Sequence, residues 1–348
     1  MAKTGIVRHK KYMEHWMGEY HPESPMRLEA IYAMLDAPDM AGKFSEVALG
    51  PADNTDIMRV HSAEYVGRIE STAGVEYTYL DPDTQTCAAS YDAAMLAAGG
   101  VCRSIAMVHS GELNNAFALV RPPGHHAERS QAKGFCLFNN VAIGARYAKE
   151  LLGINRILIV DWDLHHGNGT QHTFEEESSV LYFSTHQYPY YPGTGAFDEV
   201  GKGKGKGFTV NVPLTIGHGD GEFMTIYQQL LRPIAMEYQP EFILVSAGFD
   251  IFCGDPLGGM NVTSKGFAGL TRVIMDIADA CCGGKIVFTL EGGYNVLGER
   301  DSVKEVLKEL AGLAFTSPPD LMALANPEMT NFLLARVKSI QNAYWKNL

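Results

Sequence analysis

Ile157-Leu158-Ile159-Val160 runs without a break into Asp161-Trp162-Asp163-Leu164-His165-His166-Gly167-Asn168-Gly169. A short, uninterrupted apolar run of this kind reads as a strand buried on both faces. An extended chain puts alternate side chains on one face, so Asp161, Asp163 and His165 fall together while Trp162 and Leu164 turn the other way. Two carboxylates and an imidazole at the end of a buried strand are costly unless paired or bound to a cation. A divalent ion is the simplest neutraliser, and three protein ligands with open positions is the arrangement of a catalytic zinc. Asp163 and His165 are the first two candidate ligands. Asp161 is better placed as a deeper supporting group.

Further apolar runs read as strands over 5–7, 116–120, 180–183, 208–212, 242–245 and 286–290. Helical patterns fall between them at 90–109, 142–152, 222–238, 264–281 and 302–313, and a terminal helix is expected in a tail from about 327. Asn139-Asn140 offers an N-cap for the second helix and Ser264 one for the fourth. Strand–helix alternation of this length predicts a three-layer α/β fold with a central, mainly parallel sheet flanked by helices. Ligands in such folds bind beyond the carboxyl ends of the strands.

Three other strand runs end in polar clusters: Arg121-Pro122-Pro123-Gly124-His125-His126, Ser246-Ala247-Gly248-Phe249-Asp250 and Glu291-Gly292-Gly293-Tyr294-Asn295. Their convergence with Asp161–Gly169 predicts one site. Asp250 is the third candidate ligand. His125 and His126 titrate near neutral pH and suit general base and acid work. Each needs an orienting group on its far nitrogen, and Asp161 and Asn168 are the candidates. The paired glycines let the backbone bring the Tyr294 phenol close, where it can donate to a developing oxyanion. Gly134-Phe135 and Tyr190-Tyr191-Pro192-Gly193 supply aromatic walls for a narrow slot.

The balance of 28 basic and 40 acidic residues gives a formal charge of −12, which argues against nucleic acid as a partner. Gly201-Lys202-Gly203-Lys204-Gly205-Lys206-Gly207 reads as a flexible exposed loop and lacks the pattern of a phosphate loop. No apolar run approaches the ~18 residues of a membrane span, and residues 1–10 lack the apolar core of a signal peptide. The six cysteines include no Cys-x-x-Cys pair, as expected of free thiols in a reducing cytoplasm. A homo-oligomer is compatible with everything in the sequence.

Taken in order, these motifs resemble the zinc-dependent histone deacetylase superfamily, which includes acetylpolyamine amidohydrolases and acetoin-utilisation proteins. The similarity runs from about residue 5 to about 315, and Asn168 together with His21-Pro22-Glu23-Ser24-Pro25 points to the class II-like branch and its bacterial relatives. The resemblance implies an arginase/deacetylase-like fold, with residues 1–348 forming one catalytic domain. It implies a hydrolase that removes an acetyl or other short acyl group from an amine, with acetyl-lysine or acetylated polyamines as substrates. One Zn2+ per chain would sit on Asp163, His165 and Asp250; iron(II) also suits that donor set. By the same resemblance His126 is the base and acid facing Asn168. His125 is its electrostatic partner, held by Asp161, and Tyr294 polarises the acyl carbonyl. Phe135 and Tyr191 line the acyl channel with Gly134 and Gly292, and the Tyr191 hydroxyl is expected at the rim. Leu257 stands where a polyamine-selective branch carries an acidic gatekeeper. Asp83, rather than Asp81, is the rim carboxylate, and Arg27 is a buried arginine at the inner end. A structural K+ would lie near Asp161, Asp163, His165, Ser184 and Thr185. Two alternatives are a binuclear-metal ureohydrolase on the same fold, for which Asn168 cannot supply the second-site carboxylate, and a non-catalytic module binding acyl ligands.

Overall fold

The strands that carry the polar clusters turn out to be neighbours. The computed structural model describes residues 3–348, so Met1 and Ala2 of the stretch read as lacking a leader lie outside the described residues. Its main sheet contains β1 (Thr4–Val7), β2 (Ser45–Glu46), β5 (Asn115–Ala118), β6 (Ile157–Asp161), β7 (Val180–Gln187), β8 (Thr209–Leu214), β9 (Phe242–Ala247) and β10 (Ile286–Leu290). The spatial order is β2-β1-β5-β10-β9-β6-β7-β8, and every pairing in it is parallel. The four central strands β5, β10, β9 and β6 therefore deliver Arg121–His126, Glu291–Asn295, Ser246–Asp250 and Asp161–Gly169 to one edge. A separate antiparallel hairpin, β3 (Thr78–Asp81) with β4 (Thr84–Thr86), lies outside the sheet.

Helices cover both faces because strands with no polar alternation must be buried on both. β6, β9 and β10 are fully buried along their length. Trp162 is buried against Phe267 and Phe288, on the opposite side from the carboxylates, as the alternation predicts. The strand itself stops at Asp161; Asp163 and His165 sit in the bend that follows, held by Asp163 N–H donating to Asp161 Oδ1 at 3.1 Å. The turn, rather than a continuing pleat, aims the two candidate ligands.

Several element boundaries differ from the sequence reading for identifiable reasons. Asn139 caps the helix Asn140–Leu152, its side chain accepting from Ala142 N–H. The helix Ser264–Cys282 is capped by Thr263 and not Ser264: Thr263 Oγ1 accepts from Gly266 N–H and donates to Asp220 Oδ2. The helix expected from 302 begins at Val296, where Asn295 caps Gly298 N–H. The pattern over 222–238 is Asp220–Ile226, a π-turn at Tyr227–Leu231, and Arg232–Tyr238. Ser90–Ser110 is long and apolar enough to cross a membrane, contrary to the reading that no run is, but it is mostly buried against the sheet and the Asn140–Leu152 helix. The Gly/Lys loop is exposed at Lys202, Lys204 and Lys206 yet tied down, by Lys202 pairing with Glu175 and by Trp345 Nε1 donating to Gly207 O. The tail forms the helix Pro327–Gln341, packed on β8.

Candidate metal centre

Asp163, His165 and Asp250 are buried, and their donor atoms lie within 4.8 Å of one another. His165 Nδ1 is 3.0 Å from Asp250 Oδ2 and 3.3 Å from Asp163 Oδ1. The other carboxylate oxygens are held by backbone donors: Leu164 N–H to Asp250 Oδ1 at 2.8 Å and Gly292 N–H to Asp163 Oδ2 at 2.9 Å. Gly248 and Gly292 leave the space these carboxylates occupy. A Cβ on Gly248 would collide with Asp163, and one on Gly292 would come within 2.6 Å of Asp250 Oδ2 and 2.8 Å of Asp163 Oδ2. Gly292, expected along the substrate path, instead backs the donor triad. The donors are two carboxylates and one imidazole, preset by neighbours, and this set fits a divalent transition metal.

Electrostatics point the same way. Asp161, Asp163, Asp250 and Glu291 are all fully or almost fully buried. Burial first, and then the negative charge of Asp163, pushes the Asp250 carboxyl up to about 7. Burial likewise pushes Glu291 up to about 7. Buried carboxylates in this excess are what a cation neutralises.

The two adjacent histidines have different partners. His125 Nδ1 is 3.1 Å from Asp161 Oδ2, an oxygen that also accepts from the Tyr182 hydroxyl at 2.9 Å. His126 Nδ1 is 2.7 Å from Asn168 Oδ1. Burial disfavours charge on His125, but Asp163 and Asp161 outweigh it and hold the imidazole up at about 10. Burial, reinforced by the charges of His125 and His165, drives His126 well below the usual range. The environments push the pair apart, one cationic and one neutral.

A slot of about 80 Å3 opens over these groups. His126, His165 and Tyr294 lie at its inner end, with Phe135 and Tyr191 as walls and Gly134, Asp83 and Leu257 around them. Phe135 meets Tyr294 edge-on at 5.9 Å, and Tyr191 meets His126 edge-on at 5.1 Å. Gly134 has φ +55°, and a Cβ there would collide with the His126 ring, so glycine lets this loop close on the histidine. Asp83 Oδ1 accepts from Gly134 N–H, which ties the β3–β4 hairpin to the slot; Asp81 instead faces Gln131. The Tyr191 hydroxyl, expected at the rim, is buried without a partner. Tyr190 stacks on His165 and donates to Leu257 O. Ser184 lies in register beside Asp161, its hydroxyl on His186, and Thr185 approaches the Tyr227 hydroxyl.

The sequence reading gave Glu291 no role, and gave Arg27 only burial at the inner end, because each acts on residues far away in the chain. Glu291 accepts from Gly124 N–H and His125 N–H and from the Ser246 hydroxyl, and so carries the histidine loop. Arg27 is buried 5.4 Å from the Tyr294 ring and donates to Glu291 O, Glu299 and Glu23. A charged residue inside a strand-end cluster is the signal that could have given Glu291 its role.

Along most of its length the chain is similar to known proteins. Residues 21–310 match the histone deacetylase domain. Histone deacetylase 15 of Arabidopsis thaliana is 41% identical over 94% of this chain, which spans 59% of that protein. A probable deacetylase of Archaeoglobus fulgidus is 38% identical over 99% of both chains. The polyamine deacetylase HDAC10 of Danio rerio is 39% identical over 93% of this chain, which spans 49% of it. Thus the chain spans only about half to three-fifths of the two eukaryotic relatives. The crystal structure of the HDA15 HD domain superposes with a TM-score of 0.91 at 38% identity, over 99% of this chain and 96% of that one. Because the domain match covers most of its length and a relative of 38% identity is matched end to end, the chain belongs to the histone deacetylase family.

Proposed function

We propose that this protein is a zinc-dependent deacetylase that removes an acetyl or other short acyl group from an amine. The observation that carries the reading is the pair of differently partnered histidines, His125 on Asp161 and His126 on Asn168, beside the Asp163–His165–Asp250 donor triad. Zinc held by that triad supplies Lewis-acid polarisation of the amide carbonyl and lowers the pKa of water.

The chain's own residues then divide the remaining work. Phe135 and Tyr191 sandwich an extended acyl-amine stem and exclude water from the slot. The neutral His126, its Nδ1 engaged by Asn168, takes the proton of the attacking water at Nε2 and returns it to the leaving amine. His125, held cationic by Asp161 and Asp163, supplies fixed positive charge next to the negative charge that develops. The Tyr294 hydroxyl donates to the carbonyl oxygen as it becomes an oxyanion. Asp83 at the slot wall offers a carboxylate to a cationic amine or to a peptide N–H. A potassium ion near the Asp161 carboxylate and the carbonyls of Ser184 and Thr185 would brace the ligand loop. Substrates of this form are acetyl-lysine and acetylated diamines or polyamines; Leu257 presents an apolar group where an acidic one would favour the polyamine.

The test is steady-state hydrolysis by zinc-loaded protein of acetyl-lysine peptides, N-acetylputrescine and acetylspermidine, with Asp250→Asn as the metal-site control. Turnover of at least one class, abolished in Asp250→Asn, supports the reading. Zinc-loaded protein that turns over none of them overturns it.

A further inference from the structure

Beyond His126 a chain of polar side chains runs outward. His126 Nδ1 lies 2.7 Å from Asn168 Oδ1, Asn168 Nδ2 lies 2.6 Å from Glu128 Oε1, and His172 Nδ1 lies 2.8 Å from the same Glu128 oxygen. Local structure explains the convergence. Glu128 follows His126 by two residues, and its backbone is pinned by Gln131 O and by His61 Nδ1. Asn168 and His172 are four apart on the helix Asn168–Phe174, so both reach the same neighbour. Gly169 lies between them. A Cβ there would collide with Ala127 O, so glycine lets the first turn of that helix rest directly on the 126–128 backbone.

The order of donors and acceptors along this chain is forced from its outer end. A carboxylate only accepts hydrogen bonds. The amide NH2 of Asn168 must therefore face Glu128, and it also donates to His126 O at 3.3 Å. That leaves the amide oxygen for His126 Nδ1, which must carry the ring proton. His126 Nε2 is then the bare nitrogen, the one a base needs on the slot side. A neutral group at 128 with both a donor and an acceptor relaxes this constraint, leaving only the longer contact to His126 O to orient the amide. The amide can turn, offer N–H to Nδ1, and shift the ring proton to Nε2, where it blocks proton uptake. Glu128 is suited to staying ionised: burial raises its pKa, but hydrogen bonds from His172 and Asn168 outweigh this and hold it below the usual carboxylate range.

We propose that Glu128 is a positioning residue: acting through the Asn168 amide, and braced by His172, it fixes the tautomer of His126 that has Nε2 free. The proposal rests on the reading of His126 as the base, and the experiment separates the two. Long-range 1H–15N correlation on zinc-loaded, 15N-histidine-labelled protein reports the His126 tautomer without turnover, with His126→Gln assigning the signals. The wild type should show Nδ1–H, and the isosteric Glu128→Gln should shift it wholly or partly to Nε2–H. In kinetics, Glu128→Gln should lower kcat on the order of 10–100-fold with KM little changed, the scale for groups that orient a site's ligands. Adding Asn168→Asp should recover most of that loss, because the carboxylate it introduces has no N–H to present to His126; a merely structural defect would not be rescued. A wild type with Nε2–H, or one whose tautomer is unchanged in Glu128→Gln, overturns the proposal. If Glu128→Gln fails to fold, Glu128→Ala, which also frees the Asn168 amide to turn, is read in the same way. A wild type inactive on every acyl amine overturns the deacetylase reading while leaving the tautomer result to judge Glu128.

Discussion

Single residues decide where protons sit and what leaves room for the donors. Tyr294 lines the slot with its hydroxyl close to Gly292, and burial is the main cause that holds its pKa well above the usual value. Tyr294→Phe should leave zinc content unchanged and lower kcat on the order of 10²–10³-fold, as loss of an oxyanion donor does; near-normal turnover would remove the role. Gly292→Ala should do the reverse. Its Cβ would crowd Asp163 and Asp250, so metal content measured on the purified protein should fall along with activity. A glycine whose only task is to be absent cannot be told from a turn glycine in the sequence. The gathering of Asp163, His165 and Asp250 could be expected because charged groups at the end of a buried strand are too costly to stand there without a cation or a partner, whereas Gly248 and Glu291 needed the fold to bring their partners near.

Between elements, a buried ion network ties helices to the strand-end loops. The buried carboxylate of Glu23, just before the helix Met26–Leu35, receives Arg121 from the loop after β5 and Arg27 from its own helix, and Arg27 reaches on to Glu299 of the helix Val296–Leu310. Removing one partner of a buried ion pair costs about 3–5 kcal/mol, so Glu23→Ala should lower the melting temperature by several degrees or prevent folding. Burial alone would raise the Glu23 pKa, but Arg121 outweighs it and holds the carboxyl down at about 2, against 4.5 ordinarily. A depressed carboxylate adds stability above its unfolded pKa and loses it on acidification. That share of stability should be complete above roughly pH 4.5 and vanish toward pH 2, and a Glu23→Gln variant should show a shallower loss over the same window in acid melts. The central strands were legible because uninterrupted apolar runs of four or five residues between helical patterns must be buried on both faces. The edge strand Ser45–Glu46, the β3–β4 hairpin and the short helix Asn168–Phe174 were not, since two to seven residues carry too little periodicity. The late start assigned to the helix Val296–Leu310 has the same origin: its first turn is exposed at Leu297 and held by the Asn295 cap rather than by an apolar face.

For the whole molecule, the order β5-β10-β9-β6 is the decisive feature, because it turns clusters separated by up to 170 positions of sequence, Arg121 to Glu291, into one edge. Strand neighbours could not be read from the chain itself, only the expectation that the polar ends converge. The chain carries a net charge of −12, which favours the approach of the proposed cationic amine substrates at low salt. Metal bound only by the folded state adds stability by mass action, about 4 kcal/mol at a thousandfold excess over Kd. Chelation should therefore lower the melting temperature, and one equivalent of zinc should restore it. The most direct test of the central claim is a zinc titration of metal-stripped protein followed by its rate of deacetylation. The account predicts activity rising linearly to a plateau at one zinc per chain. A plateau at two metals per chain, or zinc bound at one equivalent with no hydrolysis of any acyl amine, would contradict it.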